Sequence, residues 1–186
     1  MARRRVPLPA KLICGLFSSE RAVIEEGIMR LEGSFGEVDL RGGYYRFTHT
    51  DHYAEEMGGE LWKCFVSFER LIEQERIVEI KNFTNRLELE LRPMGFPYSR
   101  AINIDPGYIT GAKLVLATMK DFVHRLYLGD GVYGEVTLSY IHGDFRVQPW
   151  TYPDYREEEN LSFFRQVRFR YLEQFRGGGK GGMKKR

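Results

Sequence analysis

The sequence predicts an α+β protein, in which a ferredoxin-like (split βαβ) half is extended by a three-stranded antiparallel meander and a C-terminal helix. Two observations predict this class. In the first half, apolar runs of strand length and segments of helical periodicity follow the order strand–helix–strand–strand–helix–strand. In the second half, short strand-like runs separated by glycine-containing turns precede a long helical pattern.

Composition and charge favour one folded domain with basic ends. Of the 186 residues, 42% are hydrophobic and 14% are aromatic, which is enough for a core and excludes a wholly disordered chain. We expect a flexible basic leader (1–10), a single domain (11–176, with a ferredoxin-like half at 11–104 and an extension at 105–176) and a disordered Gly/Lys tail (177–186). Without seven basic residues at the ends, 21 basic residues face 26 acidic ones. The body is therefore a poor general nucleic-acid surface.

Cysteine usage and hydropathy indicate a cytoplasmic protein. Cys14 and Cys64 lie in apolar runs, where buried free thiols are expected rather than a disulfide. There is no CxxC pair, so a cysteine zinc site is not supported. Pro7 and Pro9 interrupt the N-terminal region before an apolar segment of secretory length can form. No segment approaches the roughly 18 consecutive apolar residues of a membrane helix.

The first half is predicted to contain four strands and two helices. The strands are Lys11–Phe17, Glu37–Thr48, Leu61–Phe68 and Arg100–Ile104. The first helix is capped by Ser18 or Ser19 and closed by Gly33 and Gly36, and the second runs from about Ile72 to Leu91. Two details stay open: a break of the second strand at Gly42-Gly43, and a strand in place of helix at Leu87–Leu91, where apolar and acidic residues alternate.

The second half is predicted to contain a short helix, three strands and a long helix, with the helices on one face of the sheet. The short helix is Thr110–Lys120, the strands are Val123–Leu128, Val132–Ile141 and Phe145–Pro149, and the long helix buries Leu161, Phe164, Val167 (or Arg168), Tyr171 and Phe175. An aromatic loop, Trp150–Arg156, precedes the long helix.

The hairpin that turns at Gly129–Gly131 has a register that the side-chain pattern can test. A three-residue loop gives the pairs Leu128–Val132, Tyr127–Tyr133 and Leu126–Gly134. It also sets Arg125 opposite Glu135 on an exposed face and turns His124 and Leu126 toward the core. A two-residue loop would place Leu126 against Glu135. The three-residue loop is therefore predicted.

The first candidate site is the joint between the strand at Arg100–Ile104 and the predicted helix after it. Backbone N–H groups are unpartnered in a first helical turn, and the helix dipole favours an anion there. We expect a phosphate at Gly107, Thr110 and Gly111 with Lys113 as counter-charge, while Asp105 would hold Mg²⁺ or sugar hydroxyls. The GxxxxGK[ST] spacing of a P-loop is absent. An ordinary strand–turn–helix joint is the alternative.

The second candidate set lies in the hairpin and the aromatic loop. His124 on an apolar face would be neutral and able to act as a base or ligand, and a hydrogen-bonded core histidine is the alternative. Arg125 and Glu135 most simply form an ion pair. Trp150, Tyr152 and Asp154 belong to a loop whose rings either stack on bases or hold the loop against the core. The candidate catalytic residues are Asp105, His124 and Glu135, and the candidate ligand-binding residues are Gly107, Thr110, Gly111, Lys113, Arg125, Trp150, Tyr152 and Asp154.

One polar segment, HTDHYAEE, is dense in potential metal ligands. It contains His49, Asp51, His52, Glu55 and Glu56, and on a helix His52 and Glu56 would share one face. The HExxH spacing of a catalytic zinc site is absent. A solvated loop is the alternative, so His49, Asp51, His52 and Glu56 are weak metal candidates.

Three motifs are similar to a known family. They are KLICGLF near the start, NIDPGYITGAKLVLATMKDFVHRLYLGDGVYGEVTLSY (103–140) and PWTYPDYR (149–156). Over Lys11 to about Val167 the chain resembles the bacterial family catalogued as domain of unknown function 4416. The resemblance implies no established activity, so it assigns no catalytic residue.

These observations lead to a cytoplasmic bacterial protein that binds a nucleotide, with Mg²⁺, or another phosphorylated small molecule at the strand–loop–helix mouth. Two alternatives remain: a non-enzymatic RNA-binding or assembly protein that uses the basic tails and the aromatic loop, and a metal-dependent phosphohydrolase. The sequence leaves open whether the protein is an enzyme and what its oligomeric state is. If Asp105, Lys113, His124 and Asp154 line one cleft, a small-molecule ligand is favoured.

Overall fold

The computed structural model describes residue 3, residues 5–48 and residues 54–178. It contains four α-helices and nine strands in these ranges. The helices are α1 (Arg21–Phe35), α2 (Ala54–Met57), α3 (Ile77–Glu90) and α4 (Glu158–Gly178). The strands are β1 (Ala10–Ser18), β2 (Val38–Arg41), β3 (Tyr45–Phe47), β4 (Leu61–Ile72), β5 (Asn103–Ile109), β6 (Lys113–Thr118), β7 (Leu126–Gly129), β8 (Val132–Ile141) and β9 (Asp144–Val147). Single 3₁₀ turns form at Gln74–Arg76 and Pro153–Arg156.

One antiparallel sheet organises the molecule. The strand order is β2-β4-β1-β5-β6-β8-β7, with β3 also paired to β4 and β9 to β8. Neighbouring strands are antiparallel in every pairing of the described residues. The α+β class is therefore confirmed.

Helices cover both faces of this sheet, so the expectation that they lie on one face is wrong. Leu12, Cys14 and Leu16 of β1 join a core cluster with α1 and α3, whereas Ile13 joins a second cluster with α4. All nine residues of β1 are buried, which is the pattern of a strand covered on both sides. Successive side chains of this central strand therefore enter two different cores, which gives a three-layer arrangement of helices, sheet and helix.

The elements of the first half agree closely with the predicted ones. The second predicted strand is broken at Gly42-Gly43 into β2 and β3. The second predicted helix begins later than expected, at Ile77, because a 3₁₀ turn precedes it. It continues through the ambiguous Leu87–Leu91 region to Glu90, with Leu87 buried and Leu89 exposed, so the helical alternative is correct. The predicted strand at Arg100–Ile104 begins at Asn103.

The helix predicted at Thr110–Lys120 is wrong, because this segment forms a β-turn and strand β6. Strand β5 continues past Ile104, the predicted end of the strand, through Asp105-Pro106-Gly107 to Ile109. Thr110 N donates to Lys113 O (2.9 Å), and Ala112 N donates to Thr110 Oγ1 (3.3 Å), so the threonine closes a hairpin turn instead of capping a helix. All four residues of Leu114–Ala117 are buried, so the segment lacks the periodic polar positions that distinguish a helix from a strand in a sequence.

The hairpin between β7 and β8 has the predicted register in two of its three pairs. Leu126 lies opposite Gly134 and Tyr127 opposite Tyr133, but a bulge at Leu128 places Gly129 opposite Val132. The loop therefore has two residues instead of three, and Asp130 within it has a positive φ of 47°.

The predicted faces of this hairpin are wrong. Leu126 is 74% exposed, whereas Glu135 is 3% exposed. Strand β7 ends the sheet order, and the segment before it folds over β8. His124 and Arg125 therefore cover the Glu135 carboxylate instead of extending the strand.

The C-terminal helix is confirmed. Leu161, Phe164, Val167 and Tyr171 are buried, whereas Phe175 is 37% exposed. Phe163 is buried as well and joins the α4 cluster, so the apolar face of α4 is wider than predicted.

Candidate functional site

A cleft opens where β5 and β6 diverge. Their ladder pairs Ile109 with Leu114, Tyr108 with Val115 and Gly107 with Leu116, and it extends no further in the described residues. Beyond Gly107, β5 stays paired with β1 as far as Asn103, while β6 stays paired with β8 as far as Thr118. The two strands therefore leave a wedge-shaped gap within the sheet.

Pro106 suits the edge of this gap. Thr110 N donates toward β6, and because strand residues alternate in direction, the nitrogen of Pro106 faces β6 as well. Proline has no N–H to donate, and it is tolerated in a strand only where no ladder partner is needed. The sequence at this point is therefore incompatible with continuing the β5–β6 ladder past Gly107.

The gap holds a cavity of about 700 Å³. Strands β1, β3, β4, β5, β6 and β8 contribute residues from one end of the sheet, α3 contributes from one face, and Tyr152–Tyr155 contribute from the other face. The volume is in the range of small-molecule sites, about 300–1,000 Å³. The cleft therefore connects the two helical layers through the sheet.

The α3 side of the cleft carries two cations and one carboxylate. Arg100 donates to Glu88, and Ile104 N donates to the other oxygen of Glu88 (2.7 Å). Lys81, which is 5% exposed, donates to Ile104 O (3.2 Å), its one hydrogen bond among the described residues. Burial raises the pKa of Glu88, and the charges of Lys81 and Arg100 oppose that rise. Glu88 is therefore compensated, whereas the Lys81 ammonium keeps two N–H groups without an acceptor in this part of the chain.

The opposite side of the cleft carries a buried ion pair. Lys63 Nζ donates to Asp154 Oδ2 (2.7 Å), and the two side chains are 3% and 2% exposed. Tyr45 also donates to this carboxylate oxygen (3.2 Å). The Lys63 ammonium lies 4.8–5.4 Å from the ring centroids of Phe17, Phe47, Phe65 and Tyr155. Its charge is satisfied within the protein.

Two buried polar groups that line the cleft have no hydrogen-bond partner among the described residues. They are Asn103 Nδ2 and the Tyr155 hydroxyl, and the half-buried Asp105 carboxylate lines the cleft beside them. Asn103 and Tyr155 are 4% and 2% exposed. Burial raises the pKa of Tyr155 well above its usual value, so the hydroxyl is protonated at neutral pH and can donate. Buried polar atoms are almost always paired, so these groups indicate a bound molecule or water.

The aromatic loop and the segment before β7 are joined at the rim of the cleft. Arg125 donates to Glu135 Oε2 (2.8 Å) and to the Tyr152 hydroxyl (2.8 Å). His124 Nε2 lies 3.0 Å from the same oxygen of Glu135, and its ring stacks on Trp150 at 4.8 Å between centroids. These contacts hold the loop against β8, which is the alternative to a base-stacking role.

The cleft gathers only some of the predicted site residues. Asp105, Glu135, Tyr152 and Asp154 line it, His124 and Arg125 contact Glu135, and Trp150 contacts His124. Lys113, Thr110 and Gly111 lie in the hairpin at the opposite end of β6, and Gly107 lies inside β5. The helix-mouth site is therefore wrong, because the helix that would supply the free amides does not form. Asp154 is a buried ion-pair partner of Lys63.

Several cleft residues were missed from the sequence, although a signal existed for two of them. Lys81 and Glu88 occupy buried positions of α3 that share a side with Ile77, Ile80 and Leu87. Charged residues on an apolar helix face are rarely buried without a partner or a function. Asn103, Tyr155 and Lys63 gave no such signal, because their roles depend on how β5 and β6 diverge.

The described residues contain neither a metal-ligand cluster nor a helix suited to span a membrane. In 54–178 and 5–48, no group of three or more His, Cys, Asp or Glu residues could hold a metal ion. The metal candidates His49, Asp51 and His52 lie outside the described residues. Glu56 is described, at the end of the short helix α2. None of the described helices is long and apolar enough to cross a membrane.

Comparison with known proteins gave one match. The family model described as "Domain of unknown function (DUF4416)" matches residues 8–171 of the chain. No curated protein and no solved structure matches it.

Proposed function

The chain belongs to the DUF4416 family, and because this membership assigns no activity, we propose a function from its cleft: the protein binds a small anionic metabolite, namely a nucleotide or another phosphorylated small molecule. The proposed site is the gap between β5 and β6, not the hairpin at Thr110–Lys113.

The observation that carries the proposal is the Lys81 ammonium. It is almost fully buried at the α3 side of the cleft and donates to one backbone carbonyl there. Removing a charge from water is costly unless other groups replace the lost hydration. An anion in the cleft would accept the two remaining N–H groups, and charge-assisted bonds of this kind are among the strongest hydrogen bonds in proteins.

The charge of the cleft supports an anionic ligand. Lys63 pairs with Asp154, Arg100 with Glu88, and Arg125 with Glu135. The charged lining residues without such a pair in the described chain are Lys81, Lys120 and Asp105. The lining holds four basic and four acidic residues, but Glu135 is neutralised by Arg125 from outside the lining. The unpaired charges are therefore the cations Lys81 inside and Lys120 at the rim against the single anion Asp105.

A thermal-shift panel tests the proposal. Inorganic phosphate, ribose 5-phosphate and nucleoside di- and triphosphates, each with and without Mg²⁺, should include compounds that raise the unfolding midpoint, since a ligand of the folded state stabilises it. Lys81→Met keeps the apolar stem but removes the charge, and it should weaken binding by about 1–3 kcal/mol.

Lys113→Met is the matched control. Lys113 is a half-buried lysine of β6 that does not line the cleft, and it was the counter-charge of the helix-mouth hypothesis. Binding should survive this change. A panel without any midpoint rise, or equal loss of binding in both variants, would overturn the proposal.

A second candidate function, RNA binding, rests on two exposed aromatic rings, one just before β7 and one within it. Phe122 and Tyr127 are 60% and 63% exposed, and such rings can stack on unpaired bases while basic residues of the ends contact phosphates. Fluorescence anisotropy with a single-stranded RNA should then show binding that Phe122→Ala weakens. Phosphate release from a bound monoester with Mg²⁺ would instead favour a metal-dependent phosphohydrolase.

We also propose a ferredoxin-like topology for residues 11–104 and a location in the bacterial cytoplasm. The order β2-β4-β1-β5 with antiparallel neighbours supports the split βαβ arrangement. The two free, buried cysteines, Cys14 and Cys64, support a reducing compartment.

A further inference from the structure

The two sides of the cleft differ in charge and in hydrogen-bonding capacity. On the α3 side lie Lys81, Arg100 and Glu88, with an excess of positive charge. On the other side lie Asp105 and Tyr155, and Asn103 joins the two sides because its Oδ1 accepts a hydrogen bond from Arg100. Asn103 Nδ2 and the Tyr155 hydroxyl are buried without a hydrogen-bond partner in the described chain, and the Asp105 carboxylate lies half-buried beside them. An anionic group placed at Lys81 would leave the remainder of a ligand beside these three residues.

The chemistry of these three groups suits a hydroxylated ligand. A carboxylate such as Asp105 accepts hydrogen bonds and repels an anion, so it is unsuited to the phosphate itself. The Asn103 amide donates, and the protonated Tyr155 hydroxyl both donates and accepts. Hydroxyl groups of a sugar can satisfy all three, because each hydroxyl donates once and accepts as well. An acidic side chain fulfils the same role toward ribose in dinucleotide-binding sites.

We propose that Asp105, Asn103 and Tyr155 form a polyol-recognition subsite, so that the ligand is a sugar phosphate or the sugar-phosphate part of a nucleotide. This inference rests on the proposed function and deepens it. It assigns Asp105 as the acceptor for sugar hydroxyls, and the Tyr155 hydroxyl and Asn103 Nδ2 as specificity-determining donors.

Three phosphates that share a charged group but differ in hydroxyls test the subsite by isothermal titration calorimetry. Propyl phosphate has no hydroxyl, glycerol 3-phosphate has two, and ribose 5-phosphate has the full set. The wild-type protein should bind ribose 5-phosphate at least about tenfold more tightly than propyl phosphate, because the alkyl compound leaves buried polar groups unpaired.

Two variants assign the preference to named residues. Tyr155→Phe removes a hydroxyl that has no partner in the described chain, so the unfolding midpoint should hold while the preference for ribose 5-phosphate falls severalfold. Asp105→Ala should reduce the preference to about twofold and leave propyl phosphate binding equal or tighter, since a repelling charge is gone. Asp105→Asn replaces it if the alanine variant does not fold.

The outcomes separate the two proposals. If none of the three phosphates binds, the proposed function and the subsite both fail. If propyl phosphate and ribose 5-phosphate bind equally, the anion site stands and the subsite is overturned. If the wild-type preference persists in Tyr155→Phe and in the Asp105 variant, its assignment to these residues is overturned.

Discussion

Two buried lysines on opposite sides of the β5–β6 gap are treated differently by the fold. Lys63 donates to Asp154 at 2.7 Å, and four aromatic rings surround its ammonium. Lys81 is equally buried but donates to a single carbonyl at 3.2 Å. Both line the same cavity.

The difference separates a structural charge from a functional one. A buried charge that the chain itself satisfies contributes to the folded state, and its loss leaves an unpaired partner behind. A buried charge that the chain leaves incompletely satisfied lowers stability and is retained where something else completes it. We therefore infer that Lys63 maintains the fold, whereas Lys81 serves a ligand.

The largest expected effect is that of Lys63→Met. It leaves the Asp154 carboxylate buried with Tyr45 as its remaining side-chain donor, so the free energy of unfolding should fall by about 3–5 kcal/mol. Urea denaturation measures the loss. The double variant Lys63→Met/Asp154→Leu should recover much of it, because no unpaired charge remains. If Lys63→Met proved as stable as Lys81→Met, the proposed difference between the two lysines would be contradicted.

The next effect concerns the ladder that ends at the cleft. A Cβ on Gly107 would lie 2.5 Å from Val115 O and 2.7 Å from Leu116 Cδ2, so Gly107→Ala should lower the free energy of unfolding by about 1–3 kcal/mol. Gly111→Ala is the control, since the nearest atom to its Cβ is 3.8 Å away. Equal midpoints for the two variants in thermal denaturation would contradict the close approach of β5 and β6.

A smaller effect is expected for Lys81→Met in the absence of ligand. The change removes one long hydrogen bond, which destabilises the fold, and it also removes the cost of burying an incompletely bonded ammonium, which stabilises it. Because the two effects oppose each other, the free energy of unfolding should change by less than about 1 kcal/mol. Urea denaturation in phosphate-free buffer measures it. A loss as large as that of Lys63→Met would show that Lys81 is a structural charge.

The smallest effect should come from an exposed ion pair, which sets the lower limit of the comparison. Arg41 donates to both oxygens of Glu25, and this bonding lowers the Glu25 pKa to about 2, against a smaller opposing effect of burial. A carboxylate with a lowered pKa stabilises the fold at pH values above its pKa in the unfolded chain, which is near 4.5 for Glu25. This contribution is lost as the pH falls toward about 2, the pKa of Glu25 in the folded protein.

Glu25→Gln should therefore cost less than about 1 kcal/mol at pH 7. Its stability difference from the wild type should shrink progressively as the pH is lowered from 5 to 2 in urea titrations. A difference that is constant over this interval would mean that the charge of Glu25 is not the cause.

Most helices and strands of the first half could be predicted, because short stretches of sequence indicate each of them. The run KLICGLF indicated a buried strand, the glycine pair at 42–43 indicated the break between β2 and β3, and the spacing around Ile77, Ile80 and Leu87 indicated α3. Each of these signals lies within a few residues of the element that it predicts.

The candidate site was harder to predict because it depends on pairing between distant residues. Thr110 serves as well in a hairpin turn as in a helix cap, so the local sequence could not distinguish β6 from a helix. Asp105 and Glu135 were predicted as candidates from their residue type. Their position on one cavity arises from the registers of β5 with β1 and of β6 with β8, which no local pattern encodes.

The short ladder between β5 and β6 also has a mechanical consequence. Three residue pairs join the two portions of the described sheet, β2–β5 and β6–β9, at one end of the gap. Away from this ladder, β5 is held by β1 as far as Asn103 and β6 by β8 as far as Thr118, so the distance between these two residues depends on the twist between the two portions. A small change in sheet twist at Gly107 becomes a larger displacement across the cavity, so the separation of its two charged walls is set by a twist angle rather than by a loop.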